Sequence, residues 1–457
     1  MSPQIAAAGI WGAKRKPYIA GYAYSGRGGW FFWHFAGPNR AAATVGLPAR
    51  LSLGPFPGLR AIFCFAVVPD FSPLSAPPAP IRLLDLPAQH APIQAELDAA
   101  LRRVMQEGAF IQGPDVQHFA AELGHFLGGA HVVPCANGTD ALQLALMSLD
   151  LQPGDEVIVP AFTYVATAEA AAVLGLRPVL ADVDPATFNL DPAAAEAAIG
   201  PRTRAILAVH LYGQCADLTA LRQLADKHGL ALIEDNAQAI GATWQQADGA
   251  LAYAGTVGEV GTTSFFPSKN LGCLGDGGAL LTRDAARATA LQELANHGQP
   301  RGRKYLHARI GLNSRLDTLQ AALLRVKLPQ LAAWTAARQR VAARYDALLA
   351  AVPGLHIPAR QPGSTHVFHQ YTLTLDAETR RDALQQHLQQ RGVPSVVYYP
   401  VPVHLQPAYA HLGYRAGQFP VAEQLCRTVL SVPIHPGLTD EQVACVAEAV
   451  KTGLAPV

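Results

Sequence analysis

The strongest constraint on this fold is a repeated alternation of short apolar runs with helical stretches, which begins after residue 80. The apolar runs have the length of strands and lie at 132–133, 157–159, 179–180, 206–209 and 232–233. Helical stretches separate several of them, at 141–149, 166–174 and 218–227, and Ile93, Leu97, Leu101 and Val104 predict an amphipathic helix before them. This order predicts a mainly parallel α/β sheet with helices on both faces. Such sheets bind ligands at the carboxyl ends of their strands.

Composition excludes several other classes of protein. Half of the 457 residues are hydrophobic and 15% are charged, which excludes a disordered chain, a collagen-like repeat and a coiled coil. The formal net charge of +1 disfavours nucleic acid as a partner. The longest apolar run, Ala61–Val68, is too short to cross a bilayer as a helix. We therefore expect a soluble globular protein with neither a nucleic-acid nor a membrane partner.

Residues 1–80 differ from the rest of the chain. They carry seven basic residues and one acid, Asp70, and turn-forming residues interrupt every apolar run. The basic stretch Lys14–Lys16 resembles the start of a signal peptide, but no apolar core follows it. A targeting or interaction segment is one interpretation. We expect instead a poorly ordered extension outside the catalytic fold.

The six cysteines are far apart in the sequence. They form no C-x-x-C pair and no Cys/His spacing typical of a metal site. We therefore expect neither a disulfide framework nor a bound metal. Scattered free thiols suit the reducing cytoplasm.

The first two strand ends carry features that suit a phosphate and a planar ring. After the run at 132–133, Gly138, Thr139 and Asp140 begin a helix, where free N–H groups and the helix dipole attract an anion. The same residues also form an ordinary turn and helix cap. After the run at 157–159, Tyr164 either lies flat on a planar ligand or packs in the core.

The other two strand ends carry acids and a lysine. Glu234 and Asp235 end an apolar strand, so one of them should face a cation or a donor unless it is solvated or caps a helix. Lys269 follows Ser264 in a loop that continues into a glycine-rich stretch to residue 278. A loop lysine is usually a surface charge. The combination, however, matches the needs of pyridoxal phosphate, a Schiff-base lysine and an acid that keeps the ring nitrogen protonated.

Six motifs occur in an order that resembles one family. They are Ala136–Leu142, Pro160–Thr167, Glu234–Gln238, Ser264–Lys269, Gly311–Asp317 and Leu430–Pro436. The chain from about residue 81 to about 450 resembles the DegT/DnrJ/StrS sugar aminotransferases, which have the pyridoxal-phosphate-dependent transferase fold type I. The resemblance implies a large cofactor-binding domain at 81–334, with a mainly parallel seven-stranded sheet. A smaller C-terminal α/β domain would follow at 335–457, where the sequence predicts a helix at 336–349 and strands at 369–375 and 395–399.

The resemblance also implies a role for each site residue. Lys269 would form the Schiff base and move the proton, Asp235 would pair with the pyridinium nitrogen, and Gln238 would contact the 3-oxygen of the ring. Tyr164 would stack on the ring. The phosphate would be held by Gly138, Thr139 and Ser264, with Asp140 beside them and Asn313 supplied by the second subunit of a homodimer. Asn236 stands where the family commonly has alanine, which should not displace Asp235.

The resemblance implies transamination. Some family members are dehydratases with histidine in place of the lysine, and here Lys269 is present. L-Glutamate would be the amino donor and a keto-sugar nucleotide the acceptor. The stretches 211–217, 263–276 and 297–299 resemble the branch that aminates a UDP-linked 3-keto-N-acetylglucosaminuronate for lipopolysaccharide or other bacterial surface polysaccharide. Arg315 would grip the sugar carboxylate and His297 would also face the substrate, while Tyr398 and Tyr399 would face the sugar from the partner subunit.

Several alternatives remain open from the sequence. The acceptor could be a dTDP- or GDP-linked keto-sugar. His297 and Arg315 also fit a helix-end or salt-bridge role. A non-catalytic regulator that binds the cofactor is a different class of function, but it would not need Lys269, Asp235, Gln238 and Ser264 together. A scaffold acting through residues 1–80 is a third class, and deletion of that segment would test it.

Overall fold

The structure is a computed structural model that describes residues 22–25, 29–32 and 80–455. Two units are distinguished, residues 1–76 and residues 77–457. In the first unit, strands β1 (Tyr22–Ser25) and β2 (Gly29–Phe32) form an antiparallel hairpin. Apart from this hairpin, the extension expected at residues 1–80 lies outside the described residues.

The second unit alternates helices and strands along most of its length. Its strands are β3 (His131–Cys135), β4 (Glu156–Pro160), β5 (Arg177–Ala181), β6 (Thr203–Val209), β7 (Ala231–Asp235), β8 (Thr243–Gln245), β9 (Leu251–Tyr253), β10 (Val260–Ser264), β11 (Gly278–Thr282), β12 (Leu355–His356), β13 (Tyr371–Leu375) and β14 (Val429–Val432). Its α-helices are α1 (Leu86–His90), α2 (Gln94–Glu107), α3 (Pro114–Phe126), α4 (Gly138–Met147), α5 (Ala166–Val173), α6 (Pro192–Ala197), α7 (Leu218–His228), α8 (Ala285–Leu294), α9 (Thr318–Lys327), α10 (Leu331–Leu349), α11 (Glu378–Gln390), α12 (Pro420–Thr428) and α13 (Asp440–Leu454).

The central feature is a seven-stranded sheet with the order β3-β11-β10-β7-β6-β4-β5. Its strands are parallel except β11, which runs antiparallel to both of its neighbours. The predicted α/β fold with a mainly parallel seven-stranded sheet is therefore confirmed. Strands β10 and β11 are buried at every position because helices cover both faces of the sheet, as parallel sheets require.

Local sequence signals explain where the crossover helices begin and end. Asn137 caps α4 by accepting the N–H of Asp140 at 2.8 Å, and Asp217 caps α7 in the same way at 3.0 Å from Ala220 N. Helix α7 ends at Gly229, whose φ of 64° favours glycine. These short, well-defined boundaries fix the loops that follow the strands.

A second sheet, with the order β12-β13-β14, lies near the carboxyl end of the chain. It packs with α10, α11 and α13 around a core that contains Tyr345, Leu373 and Val446. The strand predicted at 395–399 is wrong. Only Val396 pairs there, exchanging two hydrogen bonds with Ser431. Prolines at 394 and 400, which lack an N–H, flank the segment and prevent a longer ladder.

The segment from 403 to 428 returns to the large sheet. Val403 donates its N–H to Ala161 O at 3.0 Å. Both oxygens of Asp182, which follows β5, accept N–H groups from the first turn of α12. This return brings the residues just before it, 398–400, towards the ends of the sheet strands. Within the described residues, no helix has both the length and the apolar character needed to cross a membrane.

Candidate active site

The loops that follow four strands lie along one edge of the large sheet. Strands β3, β4, β7 and β10 end at Cys135, Pro160, Asp235 and Ser264. β10, β7, β6 and β4 are parallel in pairs, and β3 shares their direction because β11 runs antiparallel to both β3 and β10. The four loops that the sequence marked as candidate sites therefore lie along the carboxyl edge of one sheet, where such folds bind ligands.

The loop after β3 lies against the end of β10. Gly138, Thr139 and Asp140 make the first turn of α4, whose N–H groups have no partner within the helix. A Cβ on Gly138 would lie 2.8 Å from the Cβ of Ser264, so only glycine lets the serine approach this closely. A serine hydroxyl against a helix N-terminus suits a phosphate.

Asp235, the last residue of β7, is a buried carboxyl group at this edge of the sheet. It is 6% exposed, and it accepts hydrogen bonds from Thr167 Oγ1 and from the N–H of Ala237, each at 3.1 Å. Burial raises the pKa of Asp235, although both hydrogen bonds and the nearby charge of Lys269 oppose that rise. Two donors leave much of the carboxylate's capacity unused. A cationic ligand nitrogen would complete it.

The neighbouring acid, Glu234, points to a different set of partners. Its carboxylate accepts the N–H groups of Gly255, Val257 and Gly258 at 2.7–2.8 Å and a hydrogen bond from His210 Nε2 at 2.9 Å. His210 Nδ1 accepts the N–H of Ala216, which assigns the proton to Nε2. Burial alone would raise the pKa of Glu234, yet these hydrogen bonds hold it below its usual value. Glu234 is therefore a structural anion.

Lys269 lies in a turn after β10 and is half-buried. Its own N–H donates to Phe266 O at 2.8 Å, which closes the turn. Burial lowers the pKa of Lys269 to about 8, and the charge of Asp235 acts in the opposite direction. A lysine with this pKa is partly neutral near physiological pH, so its amine can attack a carbonyl and accept a proton.

Gln238 and three tyrosines form a connected group at the same edge. Gln238 Nε2 donates to Tyr399 Oη at 3.1 Å, and its Oε1 accepts the N–H of Tyr212 at 2.7 Å. The ring of Tyr399 lies 5.9 Å from that of Tyr164, which is 57% exposed. Tyr399, expected to face the sugar from the partner subunit, instead lies against Gln238 and Tyr164 of its own chain, two residues expected to hold the cofactor. Burial raises the pKa of Tyr399, so its phenol stays protonated.

The remaining three candidates lie on a neighbouring segment. Arg315 is half-buried, donates weakly to Asn296 Oδ1 at 3.4 Å, and lines a cavity of about 520 Å³. Asn313 and His297 are exposed. Within residues 80–455, Arg315 donates to Asn296 and Asp235 accepts from Thr167 and Ala237, so no hydrogen bond joins these three side chains to Asp235. The segment does contact the loop between β3 and α4, because Ser314 Oγ accepts the N–H of Ala136 at 3.1 Å.

The donor set fits pyridoxal phosphate. A helix N-terminus with Ser264 suits the phosphate, the under-satisfied carboxylate of Asp235 suits a protonated ring nitrogen, and Lys269 supplies the amine. The described part of the chain contains no group of three or more His, Cys, Asp or Glu side chains placed to hold a metal ion. These observations favour an organic cofactor at this edge.

Sequence reasoning missed several residues of this site. Thr167 is the last residue of the Pro160–Thr167 motif, but nothing in its spacing indicates that its hydroxyl contacts Asp235, 68 residues further along the chain. His210 follows the apolar run at 206–209, and that position at a strand end was the available signal. His369 is half-buried near Lys269, whose charge adds to desolvation in lowering the pKa of His369 well below its usual value.

Comparison with known proteins identifies the family. The family model of the DegT/DnrJ/EryC1/StrS aminotransferases matches residues 92–451. The chain is 46% identical over 369 residues to UDP-2-acetamido-2-deoxy-3-oxo-D-glucuronate aminotransferase of Pseudomonas aeruginosa, covering 81% of this chain and 99% of that protein. It is 45% identical over 371 residues to dTDP-3-amino-3,4,6-trideoxy-alpha-D-glucose transaminase of Streptomyces venezuelae, covering 81% and 95%.

A solved structure supports the same conclusion. The crystal structure of S. venezuelae DesV in complex with a ketimine intermediate superposes with a TM-score of 0.79 at 44% identity, covering 83% of this chain and 99% of that one. The family match spans most of the chain and includes all the strand ends described above. The chain therefore belongs to the DegT/DnrJ/EryC1/StrS family of pyridoxal-phosphate-dependent aminotransferases.

Proposed function

We propose that this aminotransferase moves an amino group from L-glutamate to a UDP-linked 3-keto-N-acetylglucosaminuronate, giving the 3-amino sugar. The observation that carries the proposal is the pairing at one sheet edge of a lysine whose pKa is lowered to about 8 with a buried, under-satisfied carboxyl group. Both lie beside a helix N-terminus that suits a phosphate. We assign Lys269 the catalytic role.

The residues at this edge would each have a distinct role in binding the cofactor or moving the proton. When bound, pyridoxal phosphate supplies a carbonyl that captures amines and a ring that withdraws electrons from the carbon that loses its proton. Gly138, Thr139 and Ser264 would hold its phosphate, with Asp140 beside them. Asp235, held by Thr167, would face the ring nitrogen. Lys269 Nζ would accept the proton from the amino donor and return it.

The remaining cofactor contacts come from the tyrosine group and a second subunit. Gln238 would contact the 3-oxygen of the ring, and Tyr164 would stack on its face. We propose a homodimer in which Asn313 of the partner subunit completes the phosphate site. The exposure of Asn313 supports this arrangement, because its side chain is accessible to another subunit.

The choice of acceptor rests on Arg315. Identity alone does not distinguish the acceptors, because a UDP-uronate enzyme and a dTDP-deoxysugar enzyme match at 46% and 45%. A uronate carries a carboxylate that a trideoxy sugar lacks. Arg315 binds only Asn296, through a long hydrogen bond, so its guanidinium can take a carboxylate with two parallel bonds. His297 and Tyr399 would complete the sugar site.

The setting of the reaction is also a proposal. The described cysteines are free, and four of the five are buried, which suits a reducing compartment. We infer a cytoplasmic enzyme that supplies amino sugars for lipopolysaccharide or another surface polysaccharide.

The first experiment is an absorbance spectrum of the purified protein, with and without L-glutamate, beside Lys269→Ala. We expect the band of the lysine-bound cofactor to convert to the pyridoxamine form with glutamate in the wild type alone. The UDP-3-keto-uronate should then restore the band faster than dTDP- or GDP-linked keto-sugars. Restoration by a neutral keto-sugar at the same rate would contradict the acceptor. A colourless protein after addition of pyridoxal phosphate would contradict the whole proposal.

A further inference from the structure

Lys327, the last residue of α9, is a buried charge outside the site described above. It is 1% exposed, and its Nζ donates to Gly272 O at 2.7 Å. Among the described residues, no ion pair involves Lys327, and its hydrogen bond goes to a backbone carbonyl. Burial lowers the pKa of Lys327 to about 8. The titratable groups that interact with it are the Cys273 thiol and His90, which lies where α1 ends.

A lysine in this environment is unfavourable for stability. Lysine is almost never fully buried without a partner, because its ammonium loses its hydration. One carbonyl hydrogen bond compensates for this loss only in part. A methionine of similar length would fill the same space without burying a charge. The lysine therefore costs stability at a position where an apolar residue would serve the fold, and a local role explains it.

The carbonyl that Lys327 holds belongs to the turn of Lys269. A Cβ on Gly272 would lie 2.5 Å from Pro267 O and 2.9 Å from Phe266 O, so the two ends of the turn are in close contact. Phe266 O accepts the N–H of Lys269 at 2.8 Å. The hydrogen bond from Lys327 is therefore linked to the backbone of Lys269 in two steps, the close approach of Gly272 to Phe266 O and the hydrogen bond from Lys269 N–H to the same oxygen. Both lie within residues 266–272.

We propose that Lys327 is a positioning residue, which holds the turn at 266–272 so that Lys269 is presented to the cofactor and the substrate. The anchor comes from α9, which packs against α2 and α3 rather than against the turn's own strand. The turn is fixed by an element that does not itself take part in binding. This inference rests on the role proposed above for Lys269.

The test uses Lys327→Met in the full chain, with Lys451→Met in α13 as a matched control. The first readout is the rate at which the apo-protein captures pyridoxal phosphate, trapped by borohydride and located on Lys269 by mass spectrometry. We expect this rate and kcat to fall about tenfold, the loss typical of one hydrogen bond to a charged group. KM for glutamate should change by less than about twofold, because no substrate contact is removed.

Thermal stability separates positioning from a structural role. Removal of a buried charge should leave Tm unchanged or raise it, so function falls while stability does not. A Lys327→Met protein that captures cofactor at the wild-type rate would refute the proposal. Should Lys327→Met fail to fold, Lys327→Gln takes its place, and failure of both to fold would also refute it. Persisting transamination by Lys269→Ala would instead refute the role of Lys269.

Discussion

Thr167→Val tests whether the buried carboxyl of Asp235 is held for the cofactor. The side chain of Thr167 is completely buried, and its Oγ1 donates to Asp235 Oδ2 at 3.1 Å. Valine has the same shape but no hydroxyl, so the substitution removes this hydrogen bond and leaves the packing in place. Asp235 then keeps only the N–H of Ala237.

The magnitude follows from the kind of hydrogen bond. A hydrogen bond to a charged group contributes about 1.5–3 kcal/mol, which corresponds to roughly 10- to 150-fold in a binding constant. Thr167 lowers the pKa of Asp235, so its loss must raise that pKa further above the ordinary value. A smaller fraction of Asp235 is then ionised at a given pH. We therefore expect the Kd for pyridoxal phosphate to rise by this factor.

The assay is a titration of the apo-protein with pyridoxal phosphate at several pH values. Protonation of Asp235 weakens its pairing with the protonated ring nitrogen of the cofactor, so Kd should rise as the pH falls. In Thr167→Val this rise, the acid limb of the plot of Kd against pH, should begin at a higher pH. Thr163→Val removes a neighbouring hydroxyl that contacts Thr167 but not Asp235, so its Kd should change by less than about threefold. A Thr167→Val protein with an unchanged Kd and an unmoved acid limb would show that this reasoning is wrong.

Three further predictions follow from the same edge. Burial lowers the pKa of Lys269 to about 8, so the rate of cofactor capture by the apo-protein should rise with pH to a midpoint near that value, and a midpoint above pH 10 would contradict it. Gly138→Ala places a Cβ 2.8 Å from that of Ser264, which should cost about 1–3 kcal/mol of the free energy of cofactor binding and raise its Kd roughly 5- to 150-fold. Gly437→Ala, with no contact under 3.6 Å, should bind the cofactor normally. Arg315→Lys should raise KM for the uronate about tenfold and KM for glutamate much less, because only the guanidinium makes two parallel bonds, and equal changes would exclude this role.

The sequence predicted the sheet and its ligand-binding edge because both depend on local patterns. Buried parallel strands appear as continuous apolar runs, so the residue at which each run ends marks the edge of the sheet where such folds bind ligands. Lys269, Asp235 and Gly138 could therefore be found one strand end at a time. The strand predicted at 395–399 is absent because the prolines at 394 and 400 limit the pairing to Val396.

The partners of these residues could not be found in this way. Thr167 reaches Asp235 across 68 positions, and Lys327 reaches Gly272 across 55. Both stand in helices where a polar residue is ordinarily solvated, and only the packing of α5 and α9 buries them. A sequence pattern records which face of a helix is apolar, but it does not record which polar atom lies opposite that face.

The contrast between Glu234 and Asp235 explains how two adjacent acids acquire different roles. Successive residues of a strand point to opposite faces of a sheet, so the two carboxylates meet different surroundings. Glu234 accepts four hydrogen bonds within the fold and has no capacity left for a ligand. Asp235 accepts two, and burial raises its pKa, so it gains most from a cation brought to it. The fold thus fixes one charge for its own stability and leaves the hydrogen-bonding capacity of the other unfilled, and we propose that this second carboxylate pairs with the ring nitrogen of the cofactor.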